Sequence, residues 1–231
     1  MRFKDFDSRG YRTVDVRTGY AGWVDTYDRT VEDVMDLSLL DRLEAPSWST
    51  TRRAVDLGCG TGRTAGWLRQ RGVEEIDGVD LTPEMLDRAR ARGTHDRIVE
   101  ADVRQTELPA GAYDLAVASL IDEHMSALEP LYRETARITS NDAMFALVAF
   151  HPHFIMATGM PTHYTNPDGE SIAITTNLHL ISDHVTAAGR AGWQLVEMSE
   201  GVIDDEWLAA KPKWENLRNH PVSMVFAWRK T

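Results

Sequence analysis

Ala54-Val55-Asp56-Leu57-Gly58-Cys59-Gly60-Thr61-Gly62 is a short apolar strand that runs straight into a turn with glycine at alternate positions. Glycine lacks a Cβ and tolerates positive φ, so such a turn lets main-chain N–H groups and the start of the next helix come close to a small polar ligand. The spacing is not the G-x-G-x-x-G of a dinucleotide fold, and the sequence has no G-x-x-x-x-G-K-[ST]. Both points argue against a nicotinamide dinucleotide and against a nucleoside triphosphate. Asp56, just ahead of the turn, repels a pyrophosphate and suits a ligand that carries a free amine.

The same arrangement recurs downstream. Residues 75–79 read as a strand ending in Asp80 and Leu81, and Thr82-Pro83-Glu84 then supplies an N-cap, a proline at the first helical position and an acid at the positive end of the helix dipole. Asp80 therefore stands beside the glycine turn, where a carboxylate can accept both hydroxyls of a ribose. Residues 97–101 form a third strand leading to Asp102-Val103, where a carboxylate can take the amino group of a purine. A fourth strand, 112–119, ends near Ser119. Acids at successive strand ends with βαβ spacing describe a parallel sheet, whose ligands bind outside the carboxyl ends of the strands. Taken singly, each aspartate is equally well explained as a helix cap or a turn residue. Beside the glycine turn, the set points to one ligand.

Val55-Asp-Leu-Gly-Cys-Gly-Thr-Gly62, Gly78-Val-Asp-Leu81, Glu100-Ala-Asp-Val103 and Tyr113-Asp-Leu-Ala-Val117 together resemble the class I (Rossmann-like) S-adenosylmethionine-dependent methyltransferases of the small-molecule type. The resemblance spans roughly residues 20–150. It implies an α/β fold with a seven-stranded, mostly parallel sheet in the order 3-2-1-4-5-7-6, the last strand antiparallel. It implies S-adenosyl-L-methionine as cofactor, with Asp56 and the backbone of Gly58, Cys59 and Gly60 at its methionine end. Asp80 would then hold the ribose, Leu81 and Val103 the adenine faces, and Asp102 the exocyclic amine. Met85, Ser119, Tyr20 and Tyr27 complete the implied cofactor set, Tyr27 near the carboxylate. Many members carry a Lys/Arg-Pro-Gly-Gly turn before the fifth strand, where this chain has Ile138-Thr-Ser-Asn-Asp142. Asn-Asp is acceptable turn chemistry, and that turn lies away from the cofactor.

A chain of 231 residues, 42% hydrophobic, can bury one sizeable α/β core as a single domain. No apolar run reaches the length of a membrane span, and residues 1–8 lack the apolar stretch of a signal peptide. The lone cysteine, Cys59, has no partner for an internal disulfide and reads as a small filler of the glycine turn. These features predict a cytoplasmic protein, a monomer or homodimer. Net charge is −11, the reverse of a nucleic-acid footprint, so the expected partner is a small molecule and not DNA, RNA or a membrane.

From end to end, residues 1–50 read as an N-terminal arm and a helical lid whose patterning covers 20–43. Residues 51–150 form the cofactor-binding core, with Ala143–Phe150 as a buried central strand. A hairpin with the turn Asn166-Pro-Asp-Gly169 fills 151–181 as a substrate cap. Residues 182–231 return to the sheet through a helix capped by Ser182 and strands at 193–198 and 221–228. Tyr20, Trp23 and Tyr27 either close over the cofactor or pack as an aromatic stripe on the sheet. The loop 119–125, His151-Pro-His153, Trp207 and Trp214 are the remaining candidates to wall the acceptor.

Methyl transfer from a sulfonium needs an aligned nucleophile and a dry site, and a general base only where the acceptor keeps its proton. His124 is the first candidate base, because imidazole titrates near neutrality and its loop faces the transferred methyl. His151 and His153 follow. His151-x-His153 with His163 is weak metal spacing and no acidic cluster adjoins it, so no metal is expected. The competing functions are an S-adenosylmethionine-binding protein that does not methylate and, against the glycine spacing, a nicotinamide oxidoreductase.

Overall fold

The computed structural model describes residues 2–231. Its strands are β1 (Arg12–Val14), β2 (Arg53–Leu57), β3 (Glu75–Asp80), β4 (Arg97–Glu100), β5 (Tyr113–Ser119), β6 (Thr139–Phe150), β7 (His163–Thr165), β8 (Ser171–Ile174), β9 (Trp193–Val202) and β10 (Pro221–Lys230). The helices are α1 (Val16–Trp23), α2 (Tyr27–Thr30), α3 (Leu37–Leu40), α4 (Arg63–Gln70), α5 (Pro83–Arg92), α6 (Glu129–Ile138), α7 (Pro152–Thr158), α8 (Ile181–Arg190) and α9 (Asp205–Ala210). Seven strands form one sheet in the order β4-β3-β2-β5-β6-β10-β9, which is 3-2-1-4-5-7-6 when counted from β2. β10 runs antiparallel to both of its neighbours, and the other pairings across β4 to β6 are parallel. The expected fold is the observed one.

The sheet is buried on both faces because its central strands are apolar at successive positions, not only at alternate ones. Alternate side chains go to opposite layers. In β6, Phe145, Leu147 and Ala149 enter one core while Ala146 and Val148 enter the other; in β10, Met224, Phe226 and Trp228 oppose Val225 and Ala227. Tyr132 of α6 packs edge-on against both Phe145 and Trp228, at ring separations of 5.7 Å. A third apolar cluster, with Phe154, Ile203, Trp207 and Val222, extends the core beyond the sheet under α7 and α9.

Four local expectations are corrected. The segment before residue 20 is not a free arm, since Arg12–Val14 pairs in parallel with Ile172–Ile174 and α1 begins at Val16. With β7 this makes a separate three-stranded sheet, so the hairpin cap is completed by the N-terminal strand. The helical patterning over 20–43 is broken into α1, α2, a 3-10 turn and α3, because caps intervene: the Asp36 side chain accepts from the Leu37 N–H and opens α3 afresh. The stretch 138–142 is no loop: β6 starts at Thr139, directly after α6, and Asp142 takes φ 61° at an irregularity in the β5–β6 register. Ser182 does not cap α8; it lies within the first turn, and Asp183 reaches back to accept from the Leu180 N–H at 2.8 Å.

Carboxylates pin the N-terminal helices to the rim of the sheet. Asp36, buried, and Asp33 both pair with Arg63 at the start of α4. Asp28 accepts from the Thr61 hydroxyl at 2.6 Å and from Arg92 at 2.6 Å. At the opposite, amino-terminal edge, Asp77 is buried against Arg53 (2.9 Å) and the Tyr113 hydroxyl (2.6 Å). That arrangement serves the sheet alone. Tyr113→Phe is expected to cost about 1–3 kcal/mol in urea unfolding, the range for a lost partner of a buried charged group, with an unchanged near-ultraviolet dichroism of the native state.

Candidate active site

A cleft lies over the carboxyl ends of β2 to β5. It holds about 720 Å³ of space, some of it open to solvent, within the range of small-molecule sites. Its floor begins at the glycine turn, where Gly58, Gly60 and Gly62 take φ values of 73°, 49° and 86°. A Cβ on Gly58 would meet Ile121 Cγ2 at 2.5 Å, whereas one on Gly60 would point into open space. The turn therefore offers room. Its donors are committed elsewhere: the Gly58 and Cys59 N–H groups donate to the Val79 carbonyl (2.7 and 2.9 Å) and the Gly62 N–H to the Cys59 carbonyl (2.8 Å). The expectation that these N–H groups face a ligand does not hold for them.

Asp80 closes the turn. Its Oδ2 accepts from the Gly60 N–H at 2.9 Å and its Oδ1 from the Thr82 N–H at 2.8 Å. Burial raises its pKa above the ordinary aspartate value, against the pull of those two donors. Each oxygen retains acceptor capacity toward the cleft. Further along the rim, Leu81, Val103 and Asp102 line the cleft together. Asp102 is not free there, because Arg104 from the same turn donates through Nε and Nη2 (2.8 and 2.5 Å) and holds its pKa below the usual range.

Across the cleft stand Tyr20 of α1 and Tyr27 of α2, with Ser119 at the end of β5 and His124 beyond it. The Thr175 carbonyl can only accept, so His124 Nδ1 donates to it at 2.7 Å and Nε2 is left to accept from the Tyr20 hydroxyl at 2.9 Å. Burial lowers the His124 pKa and raises that of Tyr20 well above its usual value. A neutral imidazole thus holds a protonated phenol in place. The lone pair expected to act as a base is engaged with Tyr20.

Of the residues singled out from sequence, Tyr20, Tyr27, Gly58, Gly60, Asp80, Leu81, Asp102, Val103, Ser119 and His124 converge on this cleft. Asp56, Cys59 and Met85 do not line it. Asp56 is 1% exposed and lies 3.3 Å from Nε2 of a buried His95, sealed beneath the turn. Cys59 lies beside them, its thiol pushed up in pKa by burial, which suits a filler and not a nucleophile. Met85 packs inside, under α5. His151 and His153 are also elsewhere: His151 Nε2 meets Glu200 at 3.1 Å while its Nδ1 accepts from the His153 N–H, and His153 contacts His220. They cap and brace α7. Among the described residues no three metal-ligating side chains are placed to share an ion.

A second chamber adjoins the cleft, with about 500 Å³ of space, some of it open to solvent, and Tyr20, Tyr27 and Leu120 line both. Its walls are Trp23, Phe150, Trp207 and Trp214, the last two stacked at 5.2 Å and 13°. Glu123 faces it, 1% exposed, with Oε1 accepting from the Thr162 hydroxyl at 3.0 Å. Burial and the neighbouring Asp122 push its pKa up to about 8. Glu123, Thr162 and Arg104 were not picked out from sequence. Glu123 sits in the loop 119–125, but no pattern separates it from Asp122, and Thr162 reaches the chamber only through the fold of the cap.

Comparison with known proteins agrees with this geometry. The family described as "Methyltransferase domain" matches residues 55–147. A malonyl-[acyl-carrier protein] O-methyltransferase of Halorhodospira halophila is 33% identical over 144 residues, covering 59% of this chain and 48% of that protein. The chain spans about half or less of the length of the curated relatives it matches. An S-adenosylmethionine-dependent methyltransferase structure from Mesorhizobium loti superposes with a TM-score of 0.67 at 24% identity, over 85% of this chain and 98% of that one. A geranyl diphosphate C-methyltransferase of Streptomyces coelicolor A3(2), solved with S-adenosyl-L-homocysteine, gives 0.63 at 16% identity, over 92% and 83%. Residues 55–147 thus match a methyltransferase domain, and the fold is the Rossmann-like one of the S-adenosylmethionine-dependent methyltransferase structures on which the chain superposes.

Proposed function

We propose that this protein transfers a methyl group from S-adenosylmethionine to a small-molecule acceptor by in-line displacement. The observation that carries this reading is the pair of cavities sharing one wall: a rim of Asp80, Leu81, Asp102 and Val103 suited to an adenosyl group, and an aromatic chamber behind Tyr20, Tyr27 and Leu120 with room for a second molecule. A protein that only bound the cofactor would have no use for the second space. The cofactor would supply an activated methyl on a sulfonium.

The chain's own residues fit the task. Asp80 has acceptor capacity for ribose hydroxyls, and Leu81 and Val103 offer apolar faces on either side of a planar base. The Gly58 and Gly60 backbone leaves space for the amino-acid end. Asp102 would take a purine amine alongside Arg104. Asp56 would act only through the turn it supports. Tyr20, locked by His124, stands between the cavities and fixes where the acceptor can approach. Such positioning is what the reaction asks of a protein. The aromatic walls keep water out. Trp207 of α9 and Trp214 of the turn after it narrow the chamber, which favours a free small molecule over a polymer. No helix among the described residues is long and apolar enough to cross a membrane.

Calorimetry with S-adenosylhomocysteine and with NAD tests the cofactor assignment: the first is expected to bind at micromolar concentration and the second not at all. Asp80→Ala should weaken S-adenosylhomocysteine binding by roughly a hundredfold, the loss of about two charge-assisted hydrogen bonds; unchanged affinity would remove Asp80 from the cofactor site. His124→Ala frees the Tyr20 hydroxyl, so it should leave that affinity within about threefold while lowering turnover by roughly tenfold or more, once an acceptor is in hand.

A further inference from the structure

Two polar atoms around the aromatic chamber are buried and have no hydrogen-bond partner among the described residues: Oε2 of Glu123 and Nε1 of Trp207. A buried acceptor left unpaired costs about 1–3 kcal/mol, and more when charged, so such a group marks a place where a ligand donor is worth most. Among the described residues the only basic side chain lining the chamber is Lys211, and it is already occupied, 3.5 Å from Glu32 Oε1 and 3.4 Å from the Thr30 carbonyl. The chamber thus shows two carboxyl groups and one engaged ammonium.

We propose that this chamber is an amine site: the acceptor carries an apolar body held among Trp23, Tyr27, Trp207 and Trp214, and a nitrogen that donates to Oε2 of Glu123. The occupant's role as methyl acceptor rests on the methyltransferase reading; the recognition chemistry does not. An ammonium is attracted to the faces of Trp and Tyr and pairs with a carboxylate in a desolvated pocket. Once Glu123 is ionised, a carboxylate ligand would meet it as a like charge and find no free cation to balance it. Trp207 Nε1–H offers a neutral donor, enough for a hydroxyl, ether or carbonyl oxygen but not for a full negative charge.

The test is calorimetry on the full chain. S-adenosylhomocysteine is titrated first; absence of binding there would overturn the methyltransferase reading and leave the chamber still to be probed. Protein saturated with it is then titrated with 2-phenylethylamine, 2-phenylethanol and 3-phenylpropionate at pH 8.5. The amine is expected to bind about tenfold or more tighter than the alcohol, and the acid more weakly than either. Glu123→Gln should bring amine and alcohol within about threefold of each other.

Because that variant removes a buried group, the wild-type pH profile supplies a second reading. Glu123, with its pKa near 8, must lose a proton to pair with an ammonium whose own pKa is about 10. Amine affinity should therefore climb about tenfold per pH unit from 6.5 toward 8 and then level, while alcohol affinity stays flat. The groups facing Glu123 are Asp122 and His124 on its own loop, Tyr20 and Tyr27 from α1 and α2, and Glu32 and Lys211 around the chamber. His124 is held neutral across that range by burial. A flat amine profile, an acid that binds tighter than the amine, or an amine preference that survives in Glu123→Gln overturns the proposal.

Discussion

One carboxylate ties the rim together. Asp80 accepts from the Gly60 N–H with one oxygen and from the Thr82 N–H with the other, joining the turn after β2 to the start of α5. Hydrogen bonds to charged groups are worth about 1.5–3 kcal/mol each, and these two are partly shielded from water. The left-handed Gly60 is what lets its N–H turn back toward β3. The same geometry leaves acceptor capacity pointing into the cleft. Asp80 is thus a strut with a free acceptor face, and the glycine turn is shaped by it as much as by the glycines. The buried Asp56–His95 pair supports the turn from below without reaching the surface.

What lies above the rim is held by charge. Asp28, Asp33 and Asp36 of the N-terminal segment meet Thr61, Arg63 and Arg92 around α4 and α5. Strand β1 then adds itself to the cap hairpin, so the start of the chain and residues 163–174 close the same side of the site. The lid is consequently not one helix but short pieces, of which α1 and α3 start at an aspartate cap, Asp15 and Asp36. That segmentation lets Tyr20, Trp23 and Tyr27 cluster, with ring separations of 5.0–6.0 Å, and still present different faces to two cavities.

The sheet was legible because its signals are local. Strand, glycine turn, acid and helix cap follow one another within a few residues of β2 and β3, and a parallel βαβ sheet admits few topologies. The errors arose where a side chain has two partners to choose from. Asp56 and Met85 sit in the right stretch but turn inward, toward His95 and the underside of α5. His151 and His153 stand at a strand end, as expected, yet their ring nitrogens are taken by Glu200, His220 and the α7 cap. His124 reaches the cleft, but a carbonyl from residue 175 fixes its tautomer, a partner 51 positions away that no local pattern reveals.

The aromatic chamber is the extreme of that non-locality. Of the residues that shape it, Trp23 and Tyr27 come from the lid, Thr162 from the cap, and Trp207, Lys211 and Trp214 from the excursion between β9 and β10. All of these lie outside residues 55–147, where the family match is found; Leu120 and Glu123 alone lie within it. The rim that suits the cofactor is contained almost wholly inside. Likeness to other methyltransferases therefore transmits the rim and not the chamber, and an acceptor inferred from a relative's name inherits no physical support from the match. The chamber's own inventory, aromatic walls around a buried carboxyl with one oxygen unpaired, is the part of this molecule that discriminates among acceptors.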